Sequence, residues 1–306
     1  MVMRTGIGVS AAEGVNSGVV GAESDCPIRA RYELSSSRYI TVKGLRIHYS
    51  AEGSGPPLLL LHGVAASLHT WDGWVHALAR HYRVIRVDLP GCGFSDALRA
   101  RDHYTPEYTV DLFEEVRIRL GLERFHLAGN SLGGFFAWYY AAHYPEHVDK
   151  LVLLSPIAYQ QELPPMLSLL ATWGIGEAAR FVSPRFVVQH SVRMVYGDPR
   201  LVPSSVVDRY HALVSHRRNR HALVETVRRI KLFACDPELA LHVRKLRAPT
   251  LLMWGGRDRL VPAKLIAAWQ RDVDHLELKL YPEAGHIPME EYPAETARDA
   301  HEFLSR

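Results

Sequence analysis

Cysteine, long apolar runs and an excess of one charge are all scarce in this 306-residue sequence. Its three cysteines, Cys26, Cys92 and Cys235, are odd in number, widely separated and without metal-ligand spacing, so we expect isolated thiols and no metal site. No run approaches the roughly 18 apolar residues of a membrane-spanning helix, which predicts no stable membrane insertion. A net charge of +3 with scattered basic residues argues against a nucleic-acid partner.

The composition that remains, 47% hydrophobic and 23% charged, is typical of a soluble globular protein with one large domain and an insertion. Residues 1–37 differ, because they are rich in Gly, Ala, Ser and Val without a sustained period. They do not fit a secretory signal, and we interpret them as a flexible extension whose removal leaves folding and activity nearly unchanged. A cytoplasmic location follows as an expectation; no motif indicates an oligomeric state.

From residue 39 onward, short apolar runs alternate with helical periodicity. We predict strands at residues 39–42, 45–49, 57–61, 82–87, 125–128, 151–154, 250–254 and 277–281. Helices are predicted at residues 71–79, 105–120, 133–144 and 294–304. Strands that alternate with helices predict an α/β fold whose mostly parallel sheet is covered by helices on both faces.

A helical block at residues 157–246 interrupts this alternation and contains no convincing strand. We interpret it as a cap inserted into a core formed by residues 38–156 and 247–306. Within it, residues 166–174 are nearly all apolar. This pattern indicates either a helix that packs on the core, or a segment that lines the substrate pocket or acts as a mobile, lipid-facing lid. The cap arginines Arg185, Arg193 and Arg209 are either surface charges or ligands for a substrate carboxylate.

The sequence Gly-Asn-Ser-Leu-Gly at residues 129–133, followed by Gly134, matches the pattern G-x-S-x-G. It lies between a predicted strand and a predicted helix, the context in which a serine nucleophile sits on a tight turn. Glycines leave room where β-carbons would not fit, and the turn forces Ser131 into a strained conformation that lifts its hydroxyl above the sheet. The amides of the following helix point toward the same place. Ser131 is therefore the predicted nucleophile.

A serine hydroxyl needs a base, and the base needs an orienting acid. Asp258 and His286 both follow predicted strands, in the chain order expected for this kind of triad. Because ligands bind beyond the carboxyl ends of parallel strands, the three residues should converge there. Asp236, in the cap, and Asp272, on a helix surface, are competing acids by residue type alone; we interpret both as solvated charges.

An oxyanion hole requires two backbone N–H groups aimed at the attacked carbonyl oxygen. We assign one to Leu132, directly after the nucleophile, and the other to Val64, in the loop that follows the strand at residues 57–61. His62 then has a structural role, holding that loop by hydrogen bonds.

These segments together resemble the α/β-hydrolase superfamily, in its serine-nucleophile branch with a helical cap. The resemblance runs from about residue 39 to the C-terminus and rests on blocks at residues 60–63, 88–93, 129–134, 256–262 and 285–288. It implies cofactor-free acyl transfer to water through an acyl-serine intermediate, with a small ester or acyl substrate. Relatives that open epoxides or dehalogenate alkanes carry Asp where Ser131 stands, so the resemblance disfavours those activities.

Two activities of this branch compete. We expect a carboxylesterase or lipase, because the loop at residues 64–67 and the stretch after His286 look like generic esterase segments. The alternative is hydrolysis of a carbon–carbon bond in diketones from aromatic ring cleavage; such enzymes resemble this chain in size, cap and Gly-Asn-Ser turn. They usually have a Gly/Pro-rich oxyanion loop and an aromatic residue after the histidine, where this chain has Val64 and Ile287. A ligand sensor on a hydrolase fold is an alternative of another class.

Overall fold

A computed structural model describes residues 26–233 and 236–306. Most of the predicted N-terminal extension, and Cys235, lie outside these residues, whereas Cys92 carries a free thiol. An N-terminal unit ends at Glu33 and contains helix α1, Cys26–Tyr32; a second unit, Leu34–Arg306, contains everything else described below.

The second unit is built on one eight-stranded sheet with strand order β1-β2-β4-β3-β5-β6-β7-β8. Its strands are β1 Ser37–Val42, β2 Leu45–Glu52, β3 Pro57–Leu61, β4 Arg83–Val87, β5 Phe125–Asn130, β6 Val148–Leu154, β7 Thr250–Gly255 and β8 Leu276–Tyr281. Strand β2 is antiparallel to both β1 and β4, and all other neighbours are parallel. The mostly parallel sheet predicted from the sequence is confirmed.

Strand β3 shows why both faces of the sheet must be covered. Side chains alternate along a strand, so Leu59 and Leu61 enter one apolar cluster while Leu58 and Leu60 enter the other. On the first face lie α3 Pro106–Arg119, α4 Leu132–His143 and α11 Ile266–Asp272. On the second face lie α2 Asp72–Leu78 and α13 Pro293–Leu304. A short helix, α12 Pro288–Glu291, precedes α13.

Between β6 and β7 the described residues contain helices and no strand. The helices are α5 Pro165–Ala171, α6 Ile175–Ala179, α7 Arg185–Val195, α8 Ser204–Val214, α9 Arg217–Phe233 and α10 Pro237–Leu241. Helix α9 buries Val224, Val227 and Ile230. Helix α5 buries none of its residues, and Trp173 after it is 87% exposed, so this apolar stretch is not packed into the core.

Across the described ranges, no helix combines the length and the apolarity needed to cross a bilayer.

Candidate active site

Ser131 lies at the junction between β5 and α4, directly before the first helical residue. Its backbone has φ 55° and ψ −115°, a conformation that residues other than glycine rarely adopt. The residue is 4% exposed. The neighbouring glycines are required by crowding: a Cβ on Gly129 would lie 2.3 Å from the carbonyl oxygen of Gly133, and one on Gly133 would lie 2.3 Å from that of Leu61. The turn thus has the strained geometry expected for a nucleophile.

His286 and Asp258 are brought together from the loops after β8 and β7. The distance from His286 Nδ1 to Asp258 Oδ2 is 2.9 Å, and both side chains are buried. Asp258 Oδ1 accepts hydrogen bonds from the backbone N–H groups of Leu260, at 2.8 Å, and Val261, at 3.0 Å. These contacts hold the carboxylate in a single orientation toward the histidine.

The charge state of Asp258 determines what the histidine can do. Burial acts to raise the pKa of this carboxyl, but the charge and hydrogen bond of His286 and the two backbone donors outweigh it and lower the pKa below its usual value. An ionised carboxylate can only accept, so Nδ1 of His286 donates in this contact, and Nε2 is the ring nitrogen left for the predicted role of general base.

The two competing carboxylates have other partners. Asp236 caps helix α10, where its Oδ1 accepts from the backbone N–H of Glu238 at 2.9 Å. Asp272 pairs with Arg244 at 3.1 Å and with Arg271 at 2.6 Å. Neither is bonded to His286, so Asp258 alone among the three has the geometry of an orienting acid.

The loop after β3 lies against the nucleophile. A Cβ added to Gly63 would be 3.2 Å from the Cβ of Ser131, so the two backbones are in close contact. Val64 follows directly, and Ala65 has φ 59° in the turn. His62 is buried; its Nδ1 lies 2.7 Å from the oxygen of Gly63, and its Nε2 accepts from the N–H of Leu89 at 3.0 Å. The histidine therefore holds this loop, as expected.

The N–H of Leu132 is the first amide of helix α4, so no carbonyl of a preceding helical turn can accept from it.

Two open clefts adjoin the predicted oxyanion hole. One, with about 470 Å³ of empty space, lies between Leu132 and helix α9 and is lined in part by Phe136 and Arg229. The other, of about 320 Å³, lies between Val64 and helix α9, and both clefts reach Cys92 and Thr226.

Within the described ranges, no group of three or more His, Cys, Asp or Glu side chains is arranged to hold a metal ion. Two of the cap arginines are already paired: Arg185 with Asp208 at 2.7 Å, and Arg209 with the buried Glu290. Arg193 is exposed. None of these three lines either cleft; Arg229, which the sequence did not single out, does.

Comparison with known proteins places this site in a family. The sequence profile of the alpha/beta hydrolase fold family matches residues 56–293, most of the chain. This chain is an α/β hydrolase. The match confirms the resemblance stated from the sequence motifs, and with it the fold and the general class of hydrolase.

Relatives of this α/β hydrolase act on ring-cleavage products. The chain is 26% identical over 281 residues to the 2-hydroxy-6-oxo-6-(2'-aminophenyl)hexa-2,4-dienoic acid hydrolase of Metapseudomonas resinovorans, covering 88% of this chain and 91% of the relative. It is 28% identical over 301 residues to the 2-hydroxy-6-oxononadienedioate/2-hydroxy-6-oxononatrienedioate hydrolase of Burkholderia vietnamiensis, covering 90% and 97%. A meta-cleavage product hydrolase of Pseudomonas fluorescens IP01 superimposes with a TM-score of 0.74 at 25% identity, covering 88% and 97%.

The expectation that this α/β hydrolase is a carboxylesterase or lipase is therefore wrong, because these relatives are dienoate hydrolases. The side chains of Val64 and Ile287, on which that expectation was based, do not indicate whether an ester bond or a carbon–carbon bond is broken. An oxyanion hole uses backbone N–H groups, so the side chain of Val64 leaves it unchanged. Ile287 is 4% exposed and belongs to the core cluster, so its identity reflects packing.

Sequence reasoning missed three polar groups around this site. Asn130 donates to the backbone oxygen of His286, in the loop at residues 282–287 between β8 and α12, which we call the histidine loop. Glu291 accepts from the N–H of Gly285, next to His286. Asp88 is fully buried and accepts from His48 and from the N–H of Phe94. Asn130 and Asp88 lie in motif blocks of the sequence, at residues 129–134 and 88–93, and Glu291 lies in a pair of adjacent glutamates within a segment that is otherwise apolar or proline.

Proposed function

We propose that this protein hydrolyses a carbon–carbon bond in 2-hydroxy-6-oxo-dienoates, the products of aromatic ring cleavage. The observation that supports this most is the similarity, along nearly the whole chain, to hydrolases of such dienoates. Ser131 is the nucleophile, His286 the base and Asp258 the orienting acid. Residues 157–246 form the cap that closes over them.

The reaction begins when the enol proton of the substrate moves to the carbon next to the 6-oxo group, which gives the diketone. Ser131 Oγ then attacks the keto carbon while His286 Nε2 takes the hydroxyl proton. The carbonyl oxygen becomes an oxyanion that accepts from the N–H groups of Val64 and Leu132. The hydrogen bond between His286 Nδ1 and Asp258 stabilises the imidazolium that forms.

The carbon–carbon bond next to the keto carbon breaks in the second step. Its electron pair is delocalised over the departing chain onto the 2-oxo oxygen, which takes the proton from His286 and becomes the hydroxyl of a dienoate. The other half stays bound to Ser131 as an ester. Water, deprotonated by His286, attacks this ester; the acid departs and the proton returns to Ser131 Oγ.

The clefts beside the oxyanion hole suit such a substrate. The lining of both is largely apolar: Leu132 and Phe136 line one cleft, and Leu213 and Leu223 line the other. Apolar walls accept the hydrocarbon part of a dienoate.

The test is a steady-state assay of wild type and Ser131→Ala on 2-hydroxy-6-oxo-6-phenylhexa-2,4-dienoate and on p-nitrophenyl esters of increasing chain length. We expect the dienoate to have the higher kcat/KM, and Ser131→Ala to lose turnover while keeping its melting temperature. Ser305→Ala, an exposed serine at the C-terminus, is the matched control and should behave like wild type.

Ester turnover that exceeds dienoate turnover would contradict the proposal. Turnover of neither compound, in a protein that is folded, would favour the sensor alternative. Dienoate turnover that survives in Ser131→Ala would remove Ser131 as the nucleophile.

A further inference from the structure

Glu291 lies between the histidine loop and the cap, and its carboxylate is bonded to both. Oε1 accepts from the backbone N–H of Gly285, the residue before His286, at 2.7 Å. Oε2 accepts from the backbone N–H of Gly197, in the segment after helix α7, also at 2.7 Å. One side chain therefore bridges a core loop and a cap segment that are far apart in sequence.

The two bridged segments are in direct backbone contact. The N–H of His286 donates to the oxygen of Val195 at 2.7 Å. A Cβ on Gly285 would lie 2.3 Å from that same oxygen, and one on Gly197 would lie 1.9 Å from the oxygen of Glu283. Only glycine fits at both positions, so the two segments are closely packed and the histidine loop cannot move toward the segment at Gly197.

The neighbouring glutamate has a different role. Glu290 pairs with Arg209 and accepts from Tyr210 Oη at 3.0 Å, both on helix α8. Its side chain fastens helix α8 to helix α12 and makes no bond to Gly285 or His286 in the hydrogen bonds described. Variants of Glu290 and Glu291 can therefore distinguish two effects: a loss of contact between helices α8 and α12, and a loss of contact to the histidine loop.

The surroundings of Glu291 are unfavourable for a negative charge. Burial and the charges of Asp258 and Glu290 together raise the pKa of this carboxyl to about 7, although the N–H groups of Gly197 and Gly285 act to lower it. A buried carboxylate beside two other carboxylates lowers the stability of the folded protein. The hydrogen bonds to Gly197 and Gly285 partly offset this cost.

We propose that Glu291 is a positioning residue for His286, which fixes the histidine loop by tying Gly285 to the cap segment at Gly197. The proposal rests on the assignment of Ser131 and His286 under the proposed function. Glu291 acts through the backbone of the loop, so its removal should impair proton transfer from Ser131 and leave substrate binding nearly unchanged.

The test measures how fast a fluorophosphonate probe labels Ser131, at pH 8.5, above the pKa of Glu291. This reaction needs the base but not the dienoate, so it is independent of the substrate. Glu291→Gln keeps the shape but offers one acceptor oxygen where two N–H groups need acceptors. We expect labelling to slow by about tenfold to a hundredfold, kcat on the dienoate to fall in parallel, and KM to stay nearly constant.

Two matched variants give the comparison. Glu302→Gln, exposed on helix α13, should label like wild type. Glu290→Gln should lower the melting temperature but slow labelling less than Glu291→Gln. Glu291→Asp keeps both oxygens on a shorter side chain that cannot hold both 2.7 Å contacts, so we expect an intermediate rate. This variant decides the question if Glu291→Gln does not fold.

Labelling of folded Glu291→Gln within about twofold of wild type would overturn the proposal, as would a wild-type rate in Glu291→Asp. Equal losses in Glu290→Gln and Glu291→Gln would also overturn it, because the effect would then come from loosening the cap. If wild type itself is not labelled at Ser131, the triad assignment fails, and the proposal with it.

Discussion

The side-chain amide of Asn130 donates to the backbone oxygen of His286 at 3.0 Å. The same amide donates to the oxygen of Leu154 at the end of β6, also at 3.0 Å. Because Asn130 immediately precedes Ser131, one side chain joins the nucleophile turn, the central sheet and the histidine loop. The relative position of Ser131 and His286, the proposed nucleophile and base, therefore depends on a residue to which we assign no chemical step.

Asn130→Ala should impair both stability and catalysis. It leaves the buried backbone oxygen of His286 without its donor, which costs about 1–3 kcal/mol, whereas the oxygen of Leu154 still accepts from the N–H of Ser131. The change also frees the loop of His286 from the turn at Ser131. We expect the urea midpoint to fall and kcat per folded molecule to drop about tenfold. Asn130→Asp, which turns a donor into an acceptor, should be worse in both measurements. Unchanged kcat in folded Asn130→Ala would show that the turn and the loop are held by other contacts.

Asp258→Asn should lose most activity while remaining folded. An amide that donates to Nδ1 would favour the wrong tautomer of His286, and it cannot stabilise the imidazolium. We expect kcat to fall by about 10³–10⁴, measured on the dienoate. The controls are Asp236→Asn and Asp272→Asn, whose carboxylates cap a helix and pair with arginines. If either control lost activity and Asp258→Asn did not, the acid would have to be reassigned.

Acid should destabilise this protein partly through Asp88. Burial raises the pKa of this carboxyl, but the hydrogen bond and charge of His48, the charge of His62 and the N–H of Phe94 lower it to about 2. A depressed pKa contributes stability that is complete above the unfolded value, near 4, and is lost as the pH falls toward 2. The contribution is on the order of 2 kcal/mol.

Urea unfolding at several pH values checks this contribution. Asp88→Asn should be less stable than wild type at pH 7, and the difference should shrink below pH 4. Asp274→Asn, which alters an exposed carboxylate, is the control and should follow wild type throughout. A difference that stays constant down to pH 2.5 would mean that Asp88 is not the titrating group.

Two tryptophans should differ sharply in their contribution to stability. Trp138 is fully buried on helix α4 and donates from Nε1 to the oxygen of Ile157 at 2.8 Å, whereas Trp173 is 87% exposed. We expect Trp138→Ala to cost about 3–5 kcal/mol and Trp173→Ala less than about 0.5 kcal/mol, by urea unfolding. A large loss in Trp173→Ala would mean that this side chain is covered in solution.

A candidate site could be proposed from the sequence because each of its three residues carries a local signal. Ser131 lies in a motif with strand before and helix after, and Asp258 and His286 each follow a strand of the predicted sheet. Parallel strands bring such loops to one edge, so convergence follows from order alone. The sheet was predictable for a similar reason, since apolar runs of strand length recur between helical periods.

The groups that hold the site were not predictable, because their partners lie far away in sequence. Asn130 meets a carbonyl 156 residues later, and Glu291 meets an amide 94 residues earlier. Nothing local marks either contact. The choice between ester and carbon–carbon hydrolysis failed because it was based on the side chains of Val64 and Ile287. Ile287 packs in the core, and the proposed oxyanion hole uses the backbone N–H of Val64 rather than its side chain.

The amino-acid sequence by itself thus determined which strands the three proposed catalytic residues follow and the strained turn at Ser131, both of which follow from local pattern and glycine spacing. Only the tertiary structure decided that the backbone of His286 is bonded to Val195 and to Asn130. The physical reason is that a buried hydrogen bond depends on which backbone groups meet when the chain is folded, and no periodicity encodes that meeting.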